Sequence, residues 1–245
     1  MKKVVLIIQA RMGSKRLPGK SMMPLAGKPL VGRILERVKR CKRIDEVVLA
    51  IPENESDDIL YDLGKNHQVM VVRGSEKDLL SRYILAVKKT DAEIVVRIPA
   101  DNPTPEPNEI DKIITFHTSQ KSKGFSSNLS QFFNSGYPDG IGAEVFEASY
   151  LFESICKNPS KEKREHIHLN FFDYSKSKIS DEKWCPVRTI KCPKEFSRPD
   201  IVLDVNTFEE YIFMNSLYEN LYHKNPNFSI NDIVFWYDNI YKNSR

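Results

Sequence analysis

Four short runs of almost uninterrupted apolar, mostly β-branched residues constrain this chain more than any other feature: 4–8 (VVLII), 47–51 (VVLAI), 69–72 (VMVV) and 94–98 (IVVRI). A strand with one wet face alternates apolar and polar residues. These runs do not alternate, so they fit strands buried on both faces of a parallel sheet. Helical spacing fills the gaps. In 30–41, Leu30, Ile34, Leu35, Val38 and Cys41 form an inner stripe, Pro29 suits the first turn, and Glu36, Arg37, Lys39 and Arg40 are expected to face water. Further helices are predicted over 54–65, over 76–88 (with Leu79, Leu80, Tyr83, Ile84 and Val87 inward) and over 108–117. Strands alternating with helices of this length imply right-handed βαβ crossovers and a three-layer α/β sandwich.

The segment 9–20 (QARMGSKRLPGK) begins where the first buried strand ends, the edge at which open α/β sheets bind ligands. It carries Arg11, Lys15, Arg16 and Lys20, a hydroxyl at Ser14, and Gly13 and Gly19, which let a backbone approach a ligand closely. Backbone N–H groups with fixed cations make a polyphosphate site. The spacing matches neither GxxxxGK[ST] nor GxGxxG. A second group lies at the end of the fourth run, where Arg97 leads into Asp101, Asn102 and Pro103. Asp101 is placed to hold Mg²⁺, which takes one or two carboxylates and fills its octahedron with substrate oxygens.

The pattern loosens after residue 117. Residues 118–145 are rich in Ser, Asn and Gly, with a turn at 137–140 (YPDG) and a short strand expected over 143–146. Tyr137, Asp139 and Glu144 are candidates for binding an acceptor, and His166 is a candidate site residue. Helices are predicted over 147–156, 161–172, 208–223 and 229–242, and strands over 187–192 and 201–205. Asp204 ends the last of these strands, as a second metal carboxylate or as a turn residue, and Asn206 or Thr207 can cap the helix that follows. This half should extend the sheet and add a small mixed subdomain over the strand ends. Trp236 and Tyr241 mark either core or a dimer face.

Composition excludes several classes. No apolar run approaches the ~20 residues that span a bilayer. The run 4–8 is too short for a signal peptide, so the protein is expected to be cytoplasmic, without a membrane partner. Cys41, Cys156, Cys185 and Cys192 match no zinc or CxxC spacing, and no HExxH or nucleophile elbow is present. The net charge of +4 arises from 37 Lys and Arg among 33 Asp and Glu and does not argue for nucleic acid.

The segment 9–20, followed by 25–30 (LAGKPL), resembles the opening of the spore-coat-polysaccharide type cytidylyltransferases, relatives of the enzymes that make CMP-KDO and CMP-sialic acid. Agreement continues at 44–48, 72–76, 78–83, 96–103, 137–140, 164–166 and 206–210. The resemblance implies a nucleotide-diphospho-sugar transferase fold spanning 1–245, with 1–117 as the nucleotide half and 118–245 as the acceptor-binding and dimerisation half of a homodimer. It implies transfer of CMP from CTP to an oxygen of an acidic sugar, sugar phosphate or phosphonate, with release of pyrophosphate, for surface glycan or polysaccharide synthesis. Arg11, Arg16 and Lys20 would bind the triphosphate. Gln9 and Ala10 would read the base together with Arg73, Gly74 and Ser75, and Gly13, Ser14 and Arg97 would complete the nucleotide site. Asp101 falls on the metal-binding Asp. The chain departs from the pattern at Gly142 and Ala143, and Asn206 stands where the family has a second Asp. The second metal ligand is therefore Asp204 or Asn206. The rivals are a glycosyltransferase of the same fold, for which no DxD pair stands in mid-chain, another NTP as substrate, and a non-catalytic binding module.

Overall fold

The four apolar runs become neighbouring strands of one sheet in a computed structural model that describes residues 2–130 and 132–244. In chain order the elements are β1 (Val4–Gln9), β2 (Pro24–Leu25), β3 (Lys28–Pro29), α1 (Leu30–Val38), β4 (Glu46–Pro52), α2 (Asp58–Asn66), β5 (Met70–Gly74), α3 (Leu79–Thr90), β6 (Ile94–Pro99), α4 (Pro107–Thr118), β7 (Phe125–Ser127), β8 (Glu144–Glu147), α5 (Ser149–Cys156), α6 (Lys161–Glu165), β9 (Phe172–Asp173), β10 (Lys178–Ile179), β11 (Val187–Arg188), α7 (Phe208–Leu221) and α8 (Ile230–Trp236). The main sheet runs β11-β7-β8-β6-β1-β4-β5, and only β8 is antiparallel to its neighbours. It draws strands from both sides of residue 117. Leu6 and Ile8 of β1 pack toward α1, α2, α4, α7 and α8, while Val5 and Ile7 pack toward α3 and α5. Both faces are covered, which is why the runs lack polar alternation.

The strand order decides where a ligand goes. From β1 the chain moves outward to β4 and β5, then returns through α3 to β6 on the other side of β1. The carboxyl ends of β1 and β6 flank the crevice opened by that reversal. Local chemistry sets the helix starts: the Asp78 carboxylate accepts from Ser81 N–H at 3.0 Å, and Thr207 with Glu210 forms a capping box that opens α7.

Several sequence expectations are corrected. The helix expected over 161–172 is only α6, followed by a 3₁₀ turn at Ile167–Asn170 and strand β9, because the chain must turn back to pair β9 with β10. The strand over 187–192 shrinks to β11. Residues 201–205 form no strand. They meet the 137–140 turn in one isolated bridge, Asp139 to Val202, with Asp139 N–H donating to Ile201 O and Leu203 N–H to Asp139 O. Arg37 does not face water. It is buried, donating to Pro105 O at 2.8 Å and Phe228 O at 3.1 Å, since α7 and α8 close over that side of α1. Trp236 is core, 1% exposed and packed on Phe213 and Tyr241, which removes it from any dimer face.

Gly142, a departure from the family pattern, has a packing reason. A Cβ there would lie 2.0 Å from the carbonyl oxygen of Asn128 and 2.3 Å from its carbon. Backbone cannot yield as a side-chain tip does, so Gly142→Ala should destabilise the fold by about 3 kcal/mol and lower Tm by ~6–12 °C. Thermal melts of the purified variant check this.

Candidate active site

The cationic segment is held in a defined shape. Gly19 takes φ 73°, where a side chain would be strained, and this turn lets its N–H reach Met12 O at 3.1 Å. Asp57, 1% exposed beyond the end of β4, accepts from Met12 N–H at 2.8 Å, and Ser21 donates to Arg11 O at 3.0 Å. The folded segment forms one wall of a cleft of about 580 Å³. Arg11, Lys15, Arg16 and Lys20 line it, together with Asp101, Asp139 and Asp204.

Backbone hydrogen bonds bring the three aspartates together. Val205 N–H donates to Asp101 O at 2.7 Å, and the bridge between Asp139 and Val202 places the 137–140 turn beside 201–205. Lys20 Nζ donates to Val205 O at 2.8 Å and lies 3.4 Å from Asp101 Oδ2 and 3.5 Å from Asn206 Oδ1. Arg16 donates to Asn206 Oδ1 at 2.6 Å, and the Asn206 amide donates to Asp204. The Asn206 oxygen therefore faces cations, whereas Asp204 offers its carboxylate. Arg11 reaches Glu165 at 3.6 Å. The acidic group is under strain of its own. Burial, then Asp204 and Asp101, push the Asp139 carboxyl up to about 7. Burial, then Asp101 and Glu210, raise that of Asp204.

A second polar group forms deeper in the cleft. Arg97 of β6 and Glu144 of β8 are cross-strand partners, and Arg97 donates to Glu144 Oε2 at 2.6 Å. Tyr174 donates to the other Glu144 oxygen at 3.0 Å. Burial, then the Arg97 charge, push the His168 imidazole down to about 4.

Of the residues singled out in the sequence, Gln9, Ala10, Arg11, Ser14, Arg16, Lys20, Arg97, Asp101, Asp139, Glu144, His166, Asp204 and Asn206 line this one cleft. Gly13, Arg73, Gly74, Ser75 and Tyr137 do not. Tyr137 is fully buried and donates its hydroxyl to Glu109 at 2.7 Å, so it supports the 137–140 turn from behind. Arg73 turns outward to Asp58 at 2.6 Å and Asn54 O at 2.9 Å. Gly74 stands behind Arg82, whose Cγ would lie 2.9 Å from a Cβ there. Arg82, Tyr174 and His168 line the cleft and were missed. Arg82 sits in the 78–83 segment that carries the resemblance. Tyr174 and His168 had no local signal, since β9 and the turn before it place them.

Known proteins share this sequence pattern and fold. A family model described as cytidylyltransferase matches residues 5–179. The spore coat polysaccharide biosynthesis protein SpsF of Bacillus subtilis (strain 168) is 29% identical over 238 residues, 96% of this chain and 93% of that one. The 3-deoxy-manno-octulosonate cytidylyltransferase of Anaeromyxobacter sp. (strain K) is 34% identical over 116 residues, 46% of this chain and 47% of its own. A solved cytidylyltransferase structure from Leptospira borgpetersenii superposes with a TM-score of 0.85 at 28% identity, covering 100% of this chain and 96% of that one. With the family model running from β1 through β10 and the fold shared over the full chain, this protein belongs to the cytidylyltransferase family.

Proposed function

We propose that the protein transfers CMP from CTP to an oxygen of an acidic sugar, sugar phosphate or phosphonate, for glycan or polysaccharide synthesis. One observation carries this reading: the cations leaving β1 and the aspartate leaving β6 meet in a single cleft, with Lys20 Nζ 3.4 Å from Asp101 Oδ2. The acceptor oxygen attacks the α-phosphorus of CTP. A new P–O bond forms as the bond between the α-phosphorus and the bridging oxygen breaks, and pyrophosphate carries away that electron pair. Arg11, Arg16 and Lys20 offset the charge building on the leaving group. The rate comes from positioning and electrostatics, without a covalent enzyme intermediate. The polysaccharide role of SpsF and the octulosonate substrate of the Anaeromyxobacter enzyme support the acceptor class.

The residues present fit Mg²⁺. Asp204 and Asp101 raise the proton affinity of Asp139, and Asp101 raises that of Asp204, as neighbouring carboxylates do where a cation would offset their charge. Among the described residues, no set of three or more His, Cys, Asp and Glu is grouped to hold a metal unaided, so substrate oxygens would complete the shell. Asp101 and Asp204 would hold the ion. Asn206 is already committed to Arg16. When bound, Mg²⁺ would draw charge from the phosphate oxygens.

The test is pyrophosphate release with CTP, UTP, ATP and GTP in turn. Release confined to CTP supports the reading. A nucleotide-sugar donor consumed without pyrophosphate would make the protein a glycosyltransferase. Exposed Phe208 and Ile212 on α7 and Phe235 on α8 support a homodimer, which sedimentation velocity checks. Among the described residues no helix is long and apolar enough to cross a membrane.

Asp139 supplies a pH signature. Its carboxyl sits at about 7 when folded, well above the usual carboxylate range, so the folded state holds the proton more tightly. Stability is therefore highest below the unfolded value and falls as pH rises from about 4 to about 7. Asp139→Asn should raise Tm at pH 8, without divalent ions, by at least ~2 °C, and the gain should shrink toward pH 5. Melts across pH decide it, and a gain unchanged by pH would refute it.

A further inference from the structure

Two segments that carry the resemblance, 78–83 and 164–166, lie far apart in the chain and meet at one wall of the cleft, which Leu79, Arg82, Glu165 and His166 line. We infer that α6 is a strap, pinned by Arg164 to Asp78, whose Glu165 is the resident counter-charge of Arg11. CTP displaces this carboxylate from Arg11 on arrival, and Glu165 reclaims the guanidinium as pyrophosphate leaves. Glu165 is thus a positioning residue, acting through Arg11. This deepens the proposed function and rests on it. With only five residues, α6 is too short to hold its shape in water unaided. Ser160 caps it, accepting from Lys163 N–H at 3.3 Å, and Arg164 fastens it. Arg164 donates to Asp78 Oδ2 through Nε at 3.0 Å and through Nη2 as well, while Asp78 Oδ1 accepts from Ser81 N–H at 3.0 Å. One carboxylate therefore ties α6 to the first turn of α3. Glu165, the next residue, reaches the cationic segment instead, 3.6 Å from Arg11 Nη2.

The two ion pairs differ in kind. Arg164 and Asp78 are joined by two charge-assisted hydrogen bonds, and Asp78 is itself fixed by its cap on α3, so this pair holds. Arg11 and Glu165 are 36% and 46% exposed, and their separation is longer than a good charge-assisted hydrogen bond. A pair of that kind is weak and exchangeable. A polyphosphate offers Arg11 more charge at shorter range and takes the guanidinium. When it departs, Arg164 still holds Glu165 in place, and the carboxylate takes Arg11 back. Each polyphosphate must break the same pair to bind, so its grip is weakened by the strength of that pair. The product is released faster in consequence.

Calorimetry with CTP and with inorganic pyrophosphate, at fixed Mg²⁺ and without acceptor, tests this. Glu165→Gln should tighten both about threefold, within the range of one exposed ion pair. Damage to the fold would weaken binding, so a purely structural role does not yield a gain. Glu162→Gln removes the same charge from the same helix outside the cleft, and screening should keep its effect on either Kd under ~1.5-fold. Arg164→Lys keeps the charge and loses the two-pronged bond. In that background the loosened strap no longer presents its carboxylate, so adding Glu165→Gln should gain less than ~1.5-fold, the non-additivity of residues that act as a unit. The inference falls if Glu165→Gln leaves either Kd unchanged or weakens it, if Glu162→Gln tightens binding equally, or if the gain persists in full beside Arg164→Lys. The two levels stay distinct: CTP uptake that Glu165→Gln does not alter sinks the strap alone, and a parent protein that takes up no CTP sinks the proposed function.

Discussion

Lys20→Ala should lower the maximal rate of CTP-dependent pyrophosphate release by at least ~10²-fold, the usual cost of losing one donor aimed at developing charge. The side chain is only 13% exposed, and its ammonium is gripped by three oxygens from elements far apart in the chain: Val205 O, Asp101 Oδ2 and Asn206 Oδ1. That grip fixes the charge in place before the triphosphate arrives. Little reorganisation is then needed when negative charge moves onto pyrophosphate. Arg16 and Arg11 act from other positions, beside Asn206 and Glu165, so neither replaces the charge that Lys20 holds against Asp101. Initial rates at saturating CTP and Mg²⁺ provide the measurement, and near-parental turnover would remove Lys20 from the mechanism.

Asp101→Asn should have an effect of similar size on rate without a loss of stability. The amide keeps the shape, and the backbone joint between Asp101 O and Val205 N–H at 2.7 Å does not involve the side chain. The charge is lost, and with it a carboxylate proposed to hold Mg²⁺ and the counter-charge of Lys20. A fall of at least ~10²-fold is expected, with a higher Mg²⁺ concentration needed for half-maximal rate. Asp101 also helps to raise the proton affinity of both Asp139 and Asp204. Neutralising it relieves that repulsion, so Tm at pH 8 without divalent ions should hold or rise. An inactive variant that is no less stable is the mark of a site kept under strain for function. A variant that lost activity only because it unfolded would contradict this account.

How much of this was legible beforehand follows from the range of the forces involved. The strands β1, β4, β5 and β6 were read from composition because a strand buried on two faces must be apolar on both. The cationic loop was read because it directly follows such a strand. The start of α3 and the capping box of α7 are chemistry within a few residues. Tyr137 shows the limit. It belongs to the same turn as Asp139, yet it points back to Glu109 on α4 while Asp139 lines the cleft. Spacing along an irregular loop does not fix which way a side chain turns. Arg37 is a similar case: its charge suggested water, but carbonyls of Pro105 and Phe228 bury it.

By itself, the sequence determined a parallel α/β sheet, a cationic loop at the end of its first strand, and a carboxylate at the end of the fourth buried run, since each depends on contacts within a single element or its immediate neighbour. Tertiary structure alone decided that Asp204 rather than Asn206 faces the acidic group, that Arg97 belongs with Glu144, and that His168 is neutral. Those outcomes depend on backbone hydrogen bonds and cross-strand pairing between segments ~50–100 residues apart, where register and burial, not local pattern, set direction and charge.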